Sequence, residues 1–210
     1  MKKILLLGDS IRGGYAMSVK ASLEGIADVV YPTDSARFAA YTLRTISDDR
    51  DKYKNEKIDI IHWNCGLWDC LRQFGEEPNT PIEMYEYFID RICTRMKFLF
   101  PEAKIIFATS TKVLEERLNK KIFCRYNSEI DAYNEVAVKV VKKHGFLVDD
   151  LNAVSKTLGE DAHSDGVHYY TSKGTKAFTM QVIECLKPLL DIDGEIEYKE
   201  VLHQSAVHGF

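Results

Sequence analysis

Lys3-Ile4-Leu5-Leu6-Leu7-Gly8-Asp9-Ser10 opens with four consecutive apolar residues that run into a polar turn. An apolar run of that length without alternation fits a short strand buried on both faces, as strands of parallel sheets are. Gly8-Asp9-Ser10 followed by Gly13-Gly14 reads as a tight turn, and Tyr15 to Leu23 as the helix after it, ended by Gly25. A serine between a strand end and a helix N-terminus faces outward-pointing N–H groups and the positive end of the helix dipole, which would stabilise an alkoxide or oxyanion. Serine is also a frequent helix cap. This stretch alone therefore leaves two readings of Ser10, nucleophile and cap.

Working outward, the same strand–helix alternation continues. Asp28 to Tyr31 reads as a second strand stopped by Pro32, with a helix around Tyr41 to Ile46 and a polar surface stretch from Asp48 to Lys57. Ile58 to Asn64 is the third strand, and Cys65 to Pro78 a long loop that could form a rim or lid. Thr80-Pro81-Ile82-Glu83 has capping-box spacing with proline at the first helical position. From there Ile82, Tyr85, Ile89, Ile92, Met96 and Leu99 recur at helical spacing up to Pro101. Lys104 to Thr109 is the fourth strand, Asn127 to His144 a helix closed by Gly145, and Phe146 to Asp149 the fifth strand. A loop from Asp161 to Tyr170 leads to Thr171 as N-cap of a last helix through Leu190. Alternating strands and helices imply a doubly wound α/β fold: a five-stranded parallel sheet with helices on both faces. Ligands of such folds bind beyond the carboxyl ends of the strands, where Ser10, Ala36, Asn64 and Ser110 all fall. The domain spans residues 1–190. Residues 191–210 read as an appended tail that could add a strand, cover a neighbouring subunit or lie disordered.

Composition bounds the function. The chain has 210 residues and a net charge of −4, which gives no electrostatic footprint for nucleic acid and no basic block for an anionic membrane. The opening apolar run is too short for a signal peptide, and no stretch could span a bilayer. Five cysteines, odd in number and without a CxxC pair, read as free thiols in a reducing compartment, hence a cytoplasmic protein. Cys65 and Cys70 have no partner spacing for a metal, so neither a metal nor an organic cofactor is expected.

A serine nucleophile needs a base and a carboxylate that orients it. Of six histidines, His62 sits in a strand pattern, His144 at a helix C-terminus, and His203 and His208 in the tail. His163 and His168 remain. In Asp165-Gly166-Val167-His168 a glycine turn can fold the carboxylate back onto the imidazole three residues on. Glycine-aspartate-serine after the first strand, an Asn/Gly/Asp block after the third and an aspartate three residues before a histidine ahead of the last helix together resemble the SGNH (GDSL-type) hydrolases. The resemblance covers Met1 to about Leu190 and implies a three-layer, flavodoxin-like serine esterase. By that resemblance Ser10 is the nucleophile, His168 the general base and Asp165 its orienting carboxylate. Asp9 braces the turn, and the N–H groups of Ser10 and Ala36 bind the oxyanion.

The third block departs from the pattern. In Asn64-Cys65-Gly66-Leu67-Trp68-Asp69, tryptophan stands where the family has its oxyanion asparagine. Asn64 is the expected replacement donor, and the alternative is an asparagine that satisfies only local backbone. Trp68 and Tyr169 suit stacking on a sugar ring, while Arg12 or Arg37 could hold a carboxylate or phosphate. Trp63 and Tyr170 fit ordinary core packing. The expected substrate is a small or carbohydrate ester, perceived first as an acetyl ester, with activity falling in acid as a histidine titrates near its ordinary value of about 6.5. An acyltransferase on the same triad, a binding protein on the same scaffold and a homo-oligomer all stay open.

Overall fold

The computed structural model describes residues 1–54 and 56–203. In chain order the elements are β1 (Lys2–Leu7), α1 (Ser10–Ser22), β2 (Ala27–Val30), α2 (Ala39–Lys52), β3 (Ile60–Trp63), β4 (Arg72–Gln73), α3 (Ile82–Leu99), β5 (Lys104–Ala108), β6 (Phe123–Cys124), α4 (Asn127–Lys143), β7 (Leu147–Asp149), α5 (Leu151–Thr157) and α6 (Ser172–Leu190). Five strands form one parallel sheet in the order β2-β1-β3-β5-β7. Helices α1 and α6 pack together, and α2, α3 and α4 form a second row. The result is the three-layer α/β sandwich, with β1 an interior strand between β2 and β3, where Ile4 to Leu7 have apolar neighbours on both sides and are almost wholly buried. The order reverses between β1 and β3, so the crevice beyond their carboxyl ends is the switch point where ligands bind in such sheets.

Several local expectations are corrected. Gly13 and Gly14 are not in a turn; α1 starts at Ser10 and runs through them. Their reason is packing, since a Cβ on Gly14 would stand 2.9 Å from the Tyr170 ring. The cap of α1 is Asp9, whose Oδ1 accepts from the N–H of Ile11 at 2.9 Å. Ser10 is thus the first helical residue and not the cap. Helix α2 extends through the charged stretch to Lys52, with Arg44 and Asp48 paired one turn apart on its exposed side. Its N-terminus carries no cap of its own; the carboxylate of Asp69, from the loop after β3, accepts from the Ala39 N–H at 3.0 and 3.1 Å. The capping box at Thr80 does not form, because α3 begins a residue later with Pro81 as its N-cap, and Thr80 is buried with its carbonyl accepting from Tyr133.

The Cys65–Pro78 loop is anchored: β4 pairs antiparallel with β6, and Arg72 forms an ion pair with Glu129 at 2.7 Å. Two-residue strands carry no periodicity, which is why this pairing left no trace in the sequence pattern. The tail adds no strand among the described residues. It runs over α1 of its own chain, where Ser18 and Ser22 side chains accept from the Val201 and Lys199 N–H groups at 2.9 Å. His208 lies outside the described residues.

Candidate active site

The switch point brings the ends of the chain together. Ser10 Oγ lies 2.8 Å from His168 Nε2, and His168 Nδ1 lies 2.7 Å from Asp165 Oδ2. The Asp165 turn closes as its composition suggested, with Oδ1 accepting from the N–H groups of Val167 and His168 at 2.6 and 2.7 Å. Burial alone would raise the Asp165 pKa. The imidazole bond, the two backbone N–H bonds and the charge of His168 outweigh it and hold this carboxyl well below the usual carboxylate range. An ionised Asp165 accepts the Nδ1 proton, which leaves Nε2 with a lone pair aimed at the serine hydroxyl. Asp161, the other carboxylate of this loop, is paired with Lys173 at 2.8 Å on the surface.

The neighbouring histidines are accounted for differently. His163 is buried 3.9 Å from the Tyr169 ring, and burial lowers its pKa to about 4. His62 is wholly buried with Nε2 2.9 Å from Asp149, and His144 meets Asp90 at 2.8 Å.

Tyr170 does more than fill the core. Its hydroxyl donates to the Ser10 carbonyl at 2.9 Å, and its ring stacks on His168 at 4.8 Å and on His203 of the tail at 4.5 Å. It holds both members of the proton-sharing pair. A single buried aromatic offers no sequence signal for that role.

Two of the three expected oxyanion donors already make protein contacts. The Ala36 N–H donates to the Gly8 carbonyl at 2.9 Å, because the loop after β2 folds across the end of β1. That donor is therefore occupied. Asn64 is buried, and its Nδ2 donates to Asp9 Oδ1 at 2.8 Å, so one of its two amide hydrogens braces the turn before Ser10. Gly8, at φ +150°, exists for this contact: a Cβ there would lie 1.8 Å from Asn64 Oδ1. Ser10 keeps its own N–H in the first turn of α1, where no intrahelical acceptor exists.

Ser10 stands between two clefts. The first, about 440 Å³, is lined by His168, Trp68, Leu71, Phe123, Val167 and Arg125, among others. The second, about 470 Å³, is lined by Arg12, Tyr31, Tyr170 and His203 on the α1 side. Trp68 and Arg12 thus line the clefts beside Ser10. Tyr169 does not: it is buried against Phe178 and donates to the Lys112 carbonyl at 2.8 Å. Arg37 is also away from both clefts, exposed, ion-paired with Asp34 at 3.5 Å and over the Tyr41 ring. Arg125 was missed, because a lone arginine in a loop gives no pattern to read. Among the described residues no group of metal ligands is found.

Comparison with known proteins agrees with this architecture. No protein-family profile matches the chain. A GDSL esterase/lipase, WDL1, from Oryza sativa subsp. japonica is 24% identical over 167 residues, covering 75% of this chain. The chain spans only 61% of that relative's length. Among solved structures, a lipase/acylhydrolase from Enterococcus faecalis superposes with a TM-score of 0.71 at 19% identity, over 96% of this chain and all of the other. The acetylxylan esterase Axe2 from Geobacillus stearothermophilus gives 0.67 at 20% identity, over 91% and 95% of the two chains. At these identities the likeness establishes the fold, which is the one shared by GDSL-type lipases and acetylxylan esterases.

Proposed function

We propose that this protein is a carboxylic ester hydrolase in which Ser10 is the nucleophile, His168 the general acid–base and Asp165 the orienting carboxylate. The single observation that carries the reading is the unbroken Ser10–His168–Asp165 chain of 2.8 and 2.7 Å contacts. His168 Nε2 takes the hydroxyl proton as Ser10 Oγ attacks the ester carbonyl, and the tetrahedral oxyanion forms against the Ser10 N–H and the positive end of α1. The alcohol leaves with the proton from His168. Water then attacks the acyl-serine with His168 again as base, releasing the acid and restoring Ser10. No step needs a metal or an organic cofactor.

The substrate reading is a small acyl ester, of which acetylated carbohydrate is the first class to test. Trp68 beside the nucleophile suits a sugar face, and acetylxylan esterases share the fold. Cysteines unpaired and mostly buried support a cytoplasmic location. The test is release of acetate from acetylated xylooligosaccharides and phenyl acetate by the purified protein, with Ser10→Ala as control. Turnover that needs Ser10 supports the reading. Equal turnover by the variant, or none by either protein on any ester, removes it; product with an added alcohol in excess of hydrolysis would reassign it as an acyltransferase.

A further inference from the structure

Among the described residues Arg125 is a buried cation without a counter-ion. Its side chain is on the wall of the first cleft with Ser10 and His168, yet the residue is only 6% exposed. Its Nε donates to the Leu67 carbonyl, and among the described residues no carboxylate stands at ion-pair distance from it. The carboxylates that act on it from further off, Asp9 and Asp165, bond elsewhere: Asp9 Oδ1 accepts from the Ile11 N–H and Asn64, with Oδ2 buried and unbonded, and Asp165 accepts from His168. A guanidinium does not give up its proton in a protein, and an uncompensated buried charge is costly. Much of the remaining wall is apolar and screens poorly, with Leu67, Leu71, Leu118, Phe123 and Val167, and the one carboxylate that lines it, Asp165, is bonded to His168. Arg117, the other arginine of this cleft, is exposed and paired with Glu160 at 2.8 Å. Arg12, on the opposite side of Ser10, donates to the Asp34 carbonyl and lines the second cleft instead. A guanidinium with no ion-pair partner on the wall of this cleft is matched by an anion that arrives with the substrate.

We propose that the cleft beside Ser10 selects esters that carry a free carboxylate, with Arg125 as the residue that pairs with it. This rests on the reading of Ser10 as nucleophile. A neutral ester would fill the apolar part of the cleft and leave the guanidinium unpaired. A carboxylate can meet its planar donor edge in a two-point contact, which a lysine cannot reproduce.

Two matched pairs test this on the intact protein and place the carboxylate. On the acyl side the pair is mono(4-nitrophenyl) succinate against 4-nitrophenyl succinamate; on the alcohol side, 3-acetoxybenzoate against 3-acetoxybenzamide. The wild type should prefer the charged member of at least one pair by about tenfold to a hundredfold in kcat/KM, the scale of a charge-assisted contact. Arg125→Gln should bring that ratio down towards one mainly through KM, and Arg125→Lys should restore part of it. No preference in either pair of the wild type overturns the proposal, as does an equal loss on both members in Arg125→Gln, which would make Arg125 a positioning or oxyanion group. If none of the four esters turns over, the hydrolase reading itself fails, and Arg125 is then read by calorimetry. Sodium succinate should bind the wild type, with sodium chloride of equal ionic strength as the blank, and should lose that binding in Arg125→Gln; no binding to the wild type contradicts the assignment.

Discussion

The two sides of Ser10 are in opposite states of readiness. On one side the proposed proton path is complete, with every side-chain polar atom of Asp165 and His168 bonded. On the other, the donors expected to receive the oxyanion have protein partners: Ala36 holds Gly8, and Asn64 holds Asp9. The difference teaches that the turn carrying Ser10 is built by the same backbone and amide groups that a family pattern would assign to the oxyanion. What stays on offer there is the Ser10 N–H at the start of α1 and the second amide hydrogen of Asn64. The proton path should accordingly be sensitive to single substitutions, and the oxyanion side far less so.

The largest effect that could break this contrast lies in the path itself. Asp165→Asn keeps the turn but loses the charge that fixes the His168 tautomer, and should lower kcat by about a thousand- to ten-thousandfold with KM little changed. A loss of under tenfold would show that the path is not needed. Asn64→Ala sharpens the other side. If the amide is a brace, kcat should fall by about tenfold, with about 1–2 kcal/mol of stability lost as Asp9 loses a buried partner. A hundred- to thousandfold loss at unchanged melting temperature would instead restore Asn64 as an oxyanion donor. Tyr170→Phe removes the bond to the Ser10 carbonyl while keeping the ring on His168, and about a fivefold drop in kcat/KM is expected. An unchanged rate would reduce Tyr170 to packing.

Acid tests the same loop through stability. Folded His163 resists protonation until about pH 4, whereas in the unfolded chain it protonates near 6.5. Between those values the unfolded state binds the extra proton, so His163 makes the protein less stable as pH falls from 6.5 to 4, by about 3 kcal/mol at most. Asp69 acts in the opposite sense. Burial raises its pKa to about 7, so its contribution falls as pH rises from its ordinary value towards 7. His163→Phe keeps an aromatic ring against Tyr169 and should flatten the acid side of the melting-temperature profile; an unaltered profile would reject the buried-histidine account.

How far the sequence could be read follows from the range of each signal. The apolar run Ile4 to Leu7, the turn at Asp165-Gly166 and the Thr171 cap are local, and all three stand where periodicity and turn chemistry put them. Meeting points between distant segments are not local. The Asp69 carboxylate that caps α2, the Ala36 bond to Gly8 and the β4–β6 pairing each join loops that no spacing connects. Gly13-Gly14 misled for the same reason: the pair signals a turn by composition, but Gly14 is set by a ring 156 positions later at Tyr170. Arg125 gives no local signal, because only packing reveals that no carboxylate among the described residues stands at ion-pair distance from it.

The central claim is that His168 activates Ser10 across the edge of the sheet. Reaction of the purified protein with a fluorophosphonate, followed by intact mass and peptide mapping, tests it most directly. One adduct on Ser10, formed by the wild type and slowed by about a thousandfold or more in His168→Ala, is the expected result. An adduct on another residue, or equal labelling of Ser10 with the histidine removed, would contradict the account.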